Sequence, residues 1–371
     1  MSRTAQADDG GSNAGADGVP AVGTIVATLA MVCLLVPIRQ GVDEPAVWAG
    51  AVFAVLSVGG FLARRHDILE RRVGGPITIG SSALVLVCSA GAIMLGTSGS
   101  VILPELGWSI SLVFGSFLTG ATALAVAVAD YAGISGSGLS RRTARFLEMG
   151  ALGFVGLLAI EIVLLFVALP VLAVVGELTE LQAQAISYVS FGLGLGTVAV
   201  GYLALRGYDL SYIDIEVPTL RTVGWTILGL ILIFGANIAV SVLMTGAGVD
   251  SAEHSTSAAV EQNVELVLVI IPAMVLIVGP LEELLYRNVI QKRLYDTFSR
   301  YGAVIVASVV FTAVHVGAYA TAGAGEVLAS LAGVFALSLV LGTIYERTDN
   351  LVVPALVHGS YNALLFVPFL L

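Results

Sequence analysis

The sequence predicts an all-α protein, a polytopic transmembrane helix bundle of about eleven spans with its N-terminus inside and its C-terminus outside. Composition is the first reason. Hydrophobic residues make up 57% of the 371 positions and charged residues only 11%, with a mean hydropathy of +0.98, whereas soluble domains carry about a quarter charged residues. The second is run length, because a helix needs about 20 apolar residues to cross about 30 Å of hydrocarbon. The third is the distribution of Lys and Arg, which concentrate in the loops on the inner side of a membrane.

Taken in order, the first twenty residues are rich in Gly, Ala and Asp, hold no apolar stretch, and read as a disordered tail. Apolar runs follow over 21–38, 46–63, 76–96 and 106–129, which makes 21–129 a front bundle of four helices. The Ser/Gly-rich and basic segment 130–148 is the best break in the chain. Further runs over 149–175, 183–205, 222–244, 264–292, 301–317, 326–346 and 351–371 form a rear core over 149–371. Within it, Gly192, Gly194 and Gly196 lie inside an apolar run with no preceding strand, so they signal close helix packing and not a dinucleotide fingerprint.

The basic residues test this count. With the N-terminus inside, the inner segments hold 15 of the 16 Lys and Arg, leaving Arg39 outside. One span missed or invented between two loops would destroy that alternation. The chain therefore reads as a multi-pass integral protein of the cell membrane, with the lipid bilayer as its first partner. A nucleic-acid partner is disfavoured, since no basic patch is interleaved with aromatics. Cys33 and Cys88 both lie in apolar runs without a Cys or His at ligand spacing and read as small buried hydrophobes.

Against this apolar background stand three polar clusters: Glu282-Glu283-Leu-Leu-Tyr-Arg287, Phe311-Thr-Ala-Val-His315 and His358-Gly-Ser-Tyr-Asn362. An ionisable side chain in a bilayer core costs about 2.5–3.5 kcal/mol on insertion scales, so each is a candidate functional group. At 1.5 Å per residue, Glu282, His315, His358 and Asn362 fall roughly 10–21 Å from the inner boundary, in one layer. His358 and Asn362 are four apart and share a helix face, as do Phe311 and His315. Glu283 is four residues before Arg287, the favourable order for an ion pair along one face. That pair reads as support, leaving Glu282, about 100° around the helix, to face a shared pocket as general base. Gly279-Pro280 just upstream predicts a kink that could admit water. Asn237 and Glu161 are lone polar residues, read as packing contacts or undetected pairs, and His254 reads as solvated.

Together the clusters resemble a known family. Glu-Glu-x-x-x-Arg, Phe-x-x-x-His and His-x-x-x-Asn, in that order and each on its own span, are similar to the motifs of the CPBP (CAAX protease and bacteriocin-processing, or Abi) intramembrane proteases, which include the type II CAAX prenyl endopeptidases. The likeness covers residues 264–365. It implies an endopeptidase acting on a membrane-associated or prenylated protein or peptide. By the same resemblance, Glu282 and His315 would activate a water, His358 and Asn362 would stabilise the oxyanion, and Glu283 and Arg287 would support them. A competing, zinc-based site would use Glu282, His315 and His358 as ligands. The sequence lacks His-Glu-x-x-His, and the metal-free, glutamate-dependent reading is preferred. The alternative class is a proton-coupled transporter or a non-catalytic scaffold using the same residues as a relay or a network.

Overall fold

The computed structural model describes residues 18–103, 105 and 107–370. Most of the tail expected over 1–20 lies outside the described residues, but Gly18 to Pro20 already belong to the first helix. Ten helices among the described residues are long and apolar enough to cross a membrane, and an eleventh, Arg300–Val314, is apolar but shorter. These eleven match the predicted runs one for one, and the protein is a multi-pass helical bundle.

The chain divides into two compact units, Met1–Thr143 and Ala144–Leu371. The first holds α1 (Gly18–Arg39), α2 (Pro45–Arg65), α3 (Arg71–Met94) and α4 (Leu112–Tyr131). Each packs against the next and α4 returns to α1, a closed four-helix bundle. Its seams are small and polar. Ser57 pairs with Ser82 and Ser89 with Ser116, both at 2.8 Å, as befits helices that have no hydrophobic drive to associate in lipid. A two-stranded antiparallel hairpin, β1 (Ser100–Leu103) and β2 (Trp108–Ser111), precedes α4. Its second strand occupies the start of the run predicted as a span over 106–129, because Ile110 and Trp108 pair with Val101 and Leu103 in the ladder before the Ser111 N-cap starts the helix.

Helix α5 (Gly136–Val175) begins inside the predicted loop 130–148, so Arg141, Arg142 and Arg145 sit on helix. The second unit continues with α6 (Glu180–Leu205), opened by a Thr179/Gln182 capping box, and α7 (Leu220–Gly246). The short α8 (Ser255–Gln262) then leads to α9 (Val264–Leu294), α10 (Arg300–Val314), α11 (Ala324–Thr348) and α12 (Val352–Phe366). Lipid-facing side chains are large and apolar, such as Phe166 at 77% exposure and Ile231 at 63%.

Helix α9 is the axis of this unit. One face joins α5, α6 and α10 through Met149, Leu195, Leu285, Tyr286, Ile290 and Phe311. Its N-terminal part packs on α6 and α12 through Tyr188, Ile270, Met274 and Phe366. Two stretches of α9, Met274–Val278 and Leu284–Gln291, are π-helical and flank Gly279-Pro280; such bulges and prolines are the usual causes of a bent helix. The predicted glycine packing is visible here: a Cβ on Gly194 would lie 2.7 Å from the Ile160 backbone of α5.

An equally close approach joins α9 and α12. A Cβ on Gly279 would lie 2.7 Å from the Ala355 carbonyl, and one on Gly359 would lie 2.7 Å from the Met274 carbonyl. Neither backbone can retreat as a flexible side chain could. Gly359→Ala is therefore expected to cost about 1–3 kcal/mol as an overpacking substitution and to move His358 off α9, read as a lowered unfolding temperature in detergent together with lost activity. Unchanged stability and activity would show that the seam tolerates separation.

Candidate active site

The helices deliver the predicted side chains to one place. Glu282 and Glu283 come from α9 between its two π-helical stretches, His315 caps the C-terminus of α10, and His358 stands on α12 beside Gly359. Glu282 is 7% exposed, His358 7%, and Glu283 and Arg287 are fully buried.

The innermost layer is an ion pair with a bracket. Arg287 Nε donates to Glu283 Oε2 at 2.9 Å and its Nη2 donates to Ser338 Oγ of α11 at 3.0 Å. The guanidinium also stacks over the Phe311 ring at 5.1 Å. The predicted i, i+4 pair is therefore present. Its hydroxyl partner, on a different helix, was not foreseeable from sequence spacing.

The other oxygen of Glu283 lies 2.9 Å from His358 Nδ1. That carboxylate is already paired with a guanidinium, so the imidazole nitrogen is the donor, and His358 Nε2 is aimed at Glu282 Oε2, 3.6 Å away. His315 repeats the arrangement. Its Nδ1 donates to the Phe311 carbonyl at 2.7 Å, and its Nε2 faces Glu282 Oε1 at 3.9 Å. Phe311 holds both rings, with centroids 4.3 Å from His315 and 5.9 Å from His358. Glu282 thus sits between two imidazoles whose Nδ1 atoms are fixed by hydrogen bonds. The separations of 3.6 and 3.9 Å exceed a direct hydrogen bond and suit one water shared by the groups.

His315, His358 and Asn362 line a cavity of about 370 Å³. Asn362 stands one turn beyond His358 on the same face, as the spacing predicted. The cavity runs from these groups to the segment 251–257 and between α7 and α11, with Ile233, Leu337 and Leu341 among its apolar lining.

Three wall residues carry chemistry that sequence reading set aside or missed. His254, expected to be solvated, lines this cavity instead. Its Nδ1 accepts from the Thr256 amide, and its ring meets Tyr319 edge-on at 5.0 Å. Burial holds its imidazole below the usual range. Tyr319 follows His315 by one turn and lies in the same wall, with no motif to announce it. Asn237, read as a packing contact or an undetected pair, is one half of a pair: its amide donates to the Tyr361 hydroxyl at 2.8 Å. Glu161 is exposed on α5, away from the site. Glu346 pairs with Arg300 at 3.2 Å, while its sequence neighbour Arg347 stacks over Tyr301.

Toward the C-terminal end of α9, a polar strap centres on Asp214. Asn288 Oδ1 accepts from the Asp214 amide at 2.9 Å, and Lys292 Nζ bridges both Asp214 oxygens at 2.8 Å. Tyr345 donates to the same carboxylate, and Leu351 N donates to the Asp214 carbonyl at 2.7 Å. One residue of the segment between α6 and α7 thereby ties down α9, α11 and the start of α12.

Zinc can be tested against this geometry. Glu282, His315 and His358 offer a carboxylate and two outer imidazole nitrogens, with the inner nitrogens braced as metal-binding histidines usually are. Ligands of one tetrahedral zinc, however, lie about 3.3 Å apart, closer than the distances here, and no group of three His, Cys, Asp or Glu among the described residues is arranged to hold a metal ion. The set matches zinc in kind and not in spacing, and no step below passes through a metal.

Fold and site together define a multi-pass integral membrane protein with a buried cluster of Glu and His side chains beside a cavity. Residues 264–364 match the family model described as Rce1-like, type II CAAX prenyl endopeptidase Rce1-like. All three polar clusters lie inside the matched segment, and the match supports a peptidase of the CAAX-type intramembrane class. No curated protein and no solved structure matches the chain.

Proposed function

We propose that this protein is an intramembrane endopeptidase that hydrolyses a peptide bond in a membrane-associated or prenylated, CAAX-like, protein or peptide. The observation that carries the reading is the placement of the Glu282 carboxylate between the Nε2 atoms of His315 and His358, behind a cavity that His315, His358 and Asn362 line.

In this reading a water held by Glu282 and His315 loses a proton to the carboxylate as its oxygen attacks the substrate carbonyl carbon. The developing oxyanion accepts from His358 Nε2–H and the Asn362 amide. For His358 to donate there while Nδ1 donates to Glu283, both its nitrogens must be protonated, and Glu283 supplies the counter-charge. Glu283 is thus a positioning residue, and Arg287 keeps it ionised and in place. Collapse of the tetrahedral intermediate breaks the C–N bond, and Glu282 returns its proton to the leaving amine.

The test is reconstitution of the full chain in liposomes with a farnesylated CAAX peptide and an unprenylated membrane-anchored peptide. Wild type is expected to cleave at least one of them, at a rate that 1,10-phenanthroline leaves unchanged. Chelator inhibition rescued by zinc would overturn the metal-free mechanism. Proton-driven solute flux without cleavage would overturn the peptidase.

A further inference from the structure

A peptide bond is cut in an extended strand, and a strand inside a bilayer has no water to satisfy its N–H and C=O groups. The walls of the cavity must then provide partners on either side of the reacting carbonyl. Among the residues lining it, Asn237 has the right chemistry. It projects from the apolar run Ile-Leu-Ile-Phe-Gly-Ala-Asn-Ile-Ala-Val of α7, is exposed, and lines the same cavity as His315, His358 and Asn362.

Its geometry is fixed from one side only. One amide hydrogen goes to the Tyr361 hydroxyl at 2.8 Å, which leaves the amide carbonyl and the second N–H to meet another partner. Tyr361 is itself rigid: its ring is 3% exposed, meets Phe234 edge-on at 5.0 Å, and packs with Ile233, Leu341 and Val357. It is also the residue immediately before Asn362. A side-chain amide with one acceptor and one donor free is the complement of a peptide unit, which offers one of each. Simple interhelical glue would need only the bond to Tyr361 and would not leave the amide open to the cavity.

We propose that Asn237, held by Tyr361, is a main-chain binding subsite that positions the substrate polypeptide in register with the reacting groups. This rests on the endopeptidase reading above and adds to it a positioning residue outside the three motifs. It also assigns α7 to the substrate-binding wall. The partner recognised is one peptide unit of an extended segment, whatever its side chains.

The test uses the full-length protein in liposomes with the farnesylated CAAX peptide, and with analogues in which single backbone amides near the scissile bond are replaced by esters. Asn237→Leu, close to isosteric and apolar, is expected to raise KM about tenfold with kcat changed less than threefold, the loss of about one hydrogen bond of ground-state and transition-state binding alike. One ester substitution should weaken wild type by a similar factor and leave Asn237→Leu unaffected. Tyr361→Phe keeps the amide and should raise KM less than Asn237→Leu does. Equal effects of the ester on wild type and Asn237→Leu, at every position, would overturn the subsite and reduce Asn237 to a packing contact. Failure of wild type to cleave any peptide, or cleavage that survives Glu282→Gln, would instead overturn the reading on which the subsite depends.

Discussion

Glu282→Gln is expected to lower cleavage by about 10²–10⁴-fold, the range general-base catalysis contributes, while leaving the protein folded. Gln matches Glu in shape, and its amide can accept from His358 and donate to His315, so the 7%-exposed site is not opened. In the proposed mechanism, what is lost is the ability to take a proton from water and return it to the leaving amine. The check is steady-state cleavage in liposomes beside an unfolding curve in detergent, with the curve expected to overlay wild type. Equal activity of the two proteins would remove Glu282 from the mechanism. A collapsed unfolding curve would instead make it structural.

Arg287→Met should produce the largest loss of stability, about 3–5 kcal/mol, the cost of breaking a buried ion pair from one side. Both partners are fully buried, so Glu283 would be left as an uncompensated charge with only His358 to offset it. Adding Glu283→Gln removes that charge, and the double variant is expected to be more stable than Arg287→Met alone, a non-additivity that marks directly coupled groups. Additive losses would show that the guanidinium stabilises through Phe311 and Ser338 and not through Glu283. Chemical unfolding in a fixed detergent, read by tryptophan fluorescence, separates the two.

Much of this was legible beforehand because it is written in one dimension. A run of about 20 apolar residues has few outcomes other than a span, so each of the eleven helices could be read from its own segment. Glu283 with Arg287 and His358 with Asn362 could be paired because i, i+4 spacing on one helix fixes a shared face. The misreadings have physical causes. The run at 301–317 predicts a full span, whereas α10 is 15 residues long, about 22 Å at 1.5 Å per residue, and falls short of the hydrocarbon thickness. It stops where the His315 ring turns back onto the Phe311 carbonyl. Ser338, Tyr361 and His254 reach the site from α11, α12 and the segment before α8, and no local periodicity reports a neighbour across a cavity. Asp214 was invisible for the same reason: it lies in a short polar connection and acquires its importance only when α9, α11 and α12 converge on it.

The backbone contact of Gly279 with Gly359 divides labour between parts of the bundle. Glu282, Glu283 and His358 all sit on α9 and α12, which at Gly279 and Gly359 meet main chain against main chain, at a point where no side chain intervenes for substitution to reshape. The walls offered to a substrate belong in large part to α7, α11 and the segment 251–257, where side chains do the lining. Changes on those walls would alter what fits without shifting the reacting atoms, so a lineage carrying this scaffold could exchange one peptide for another while inheriting the same chemistry intact.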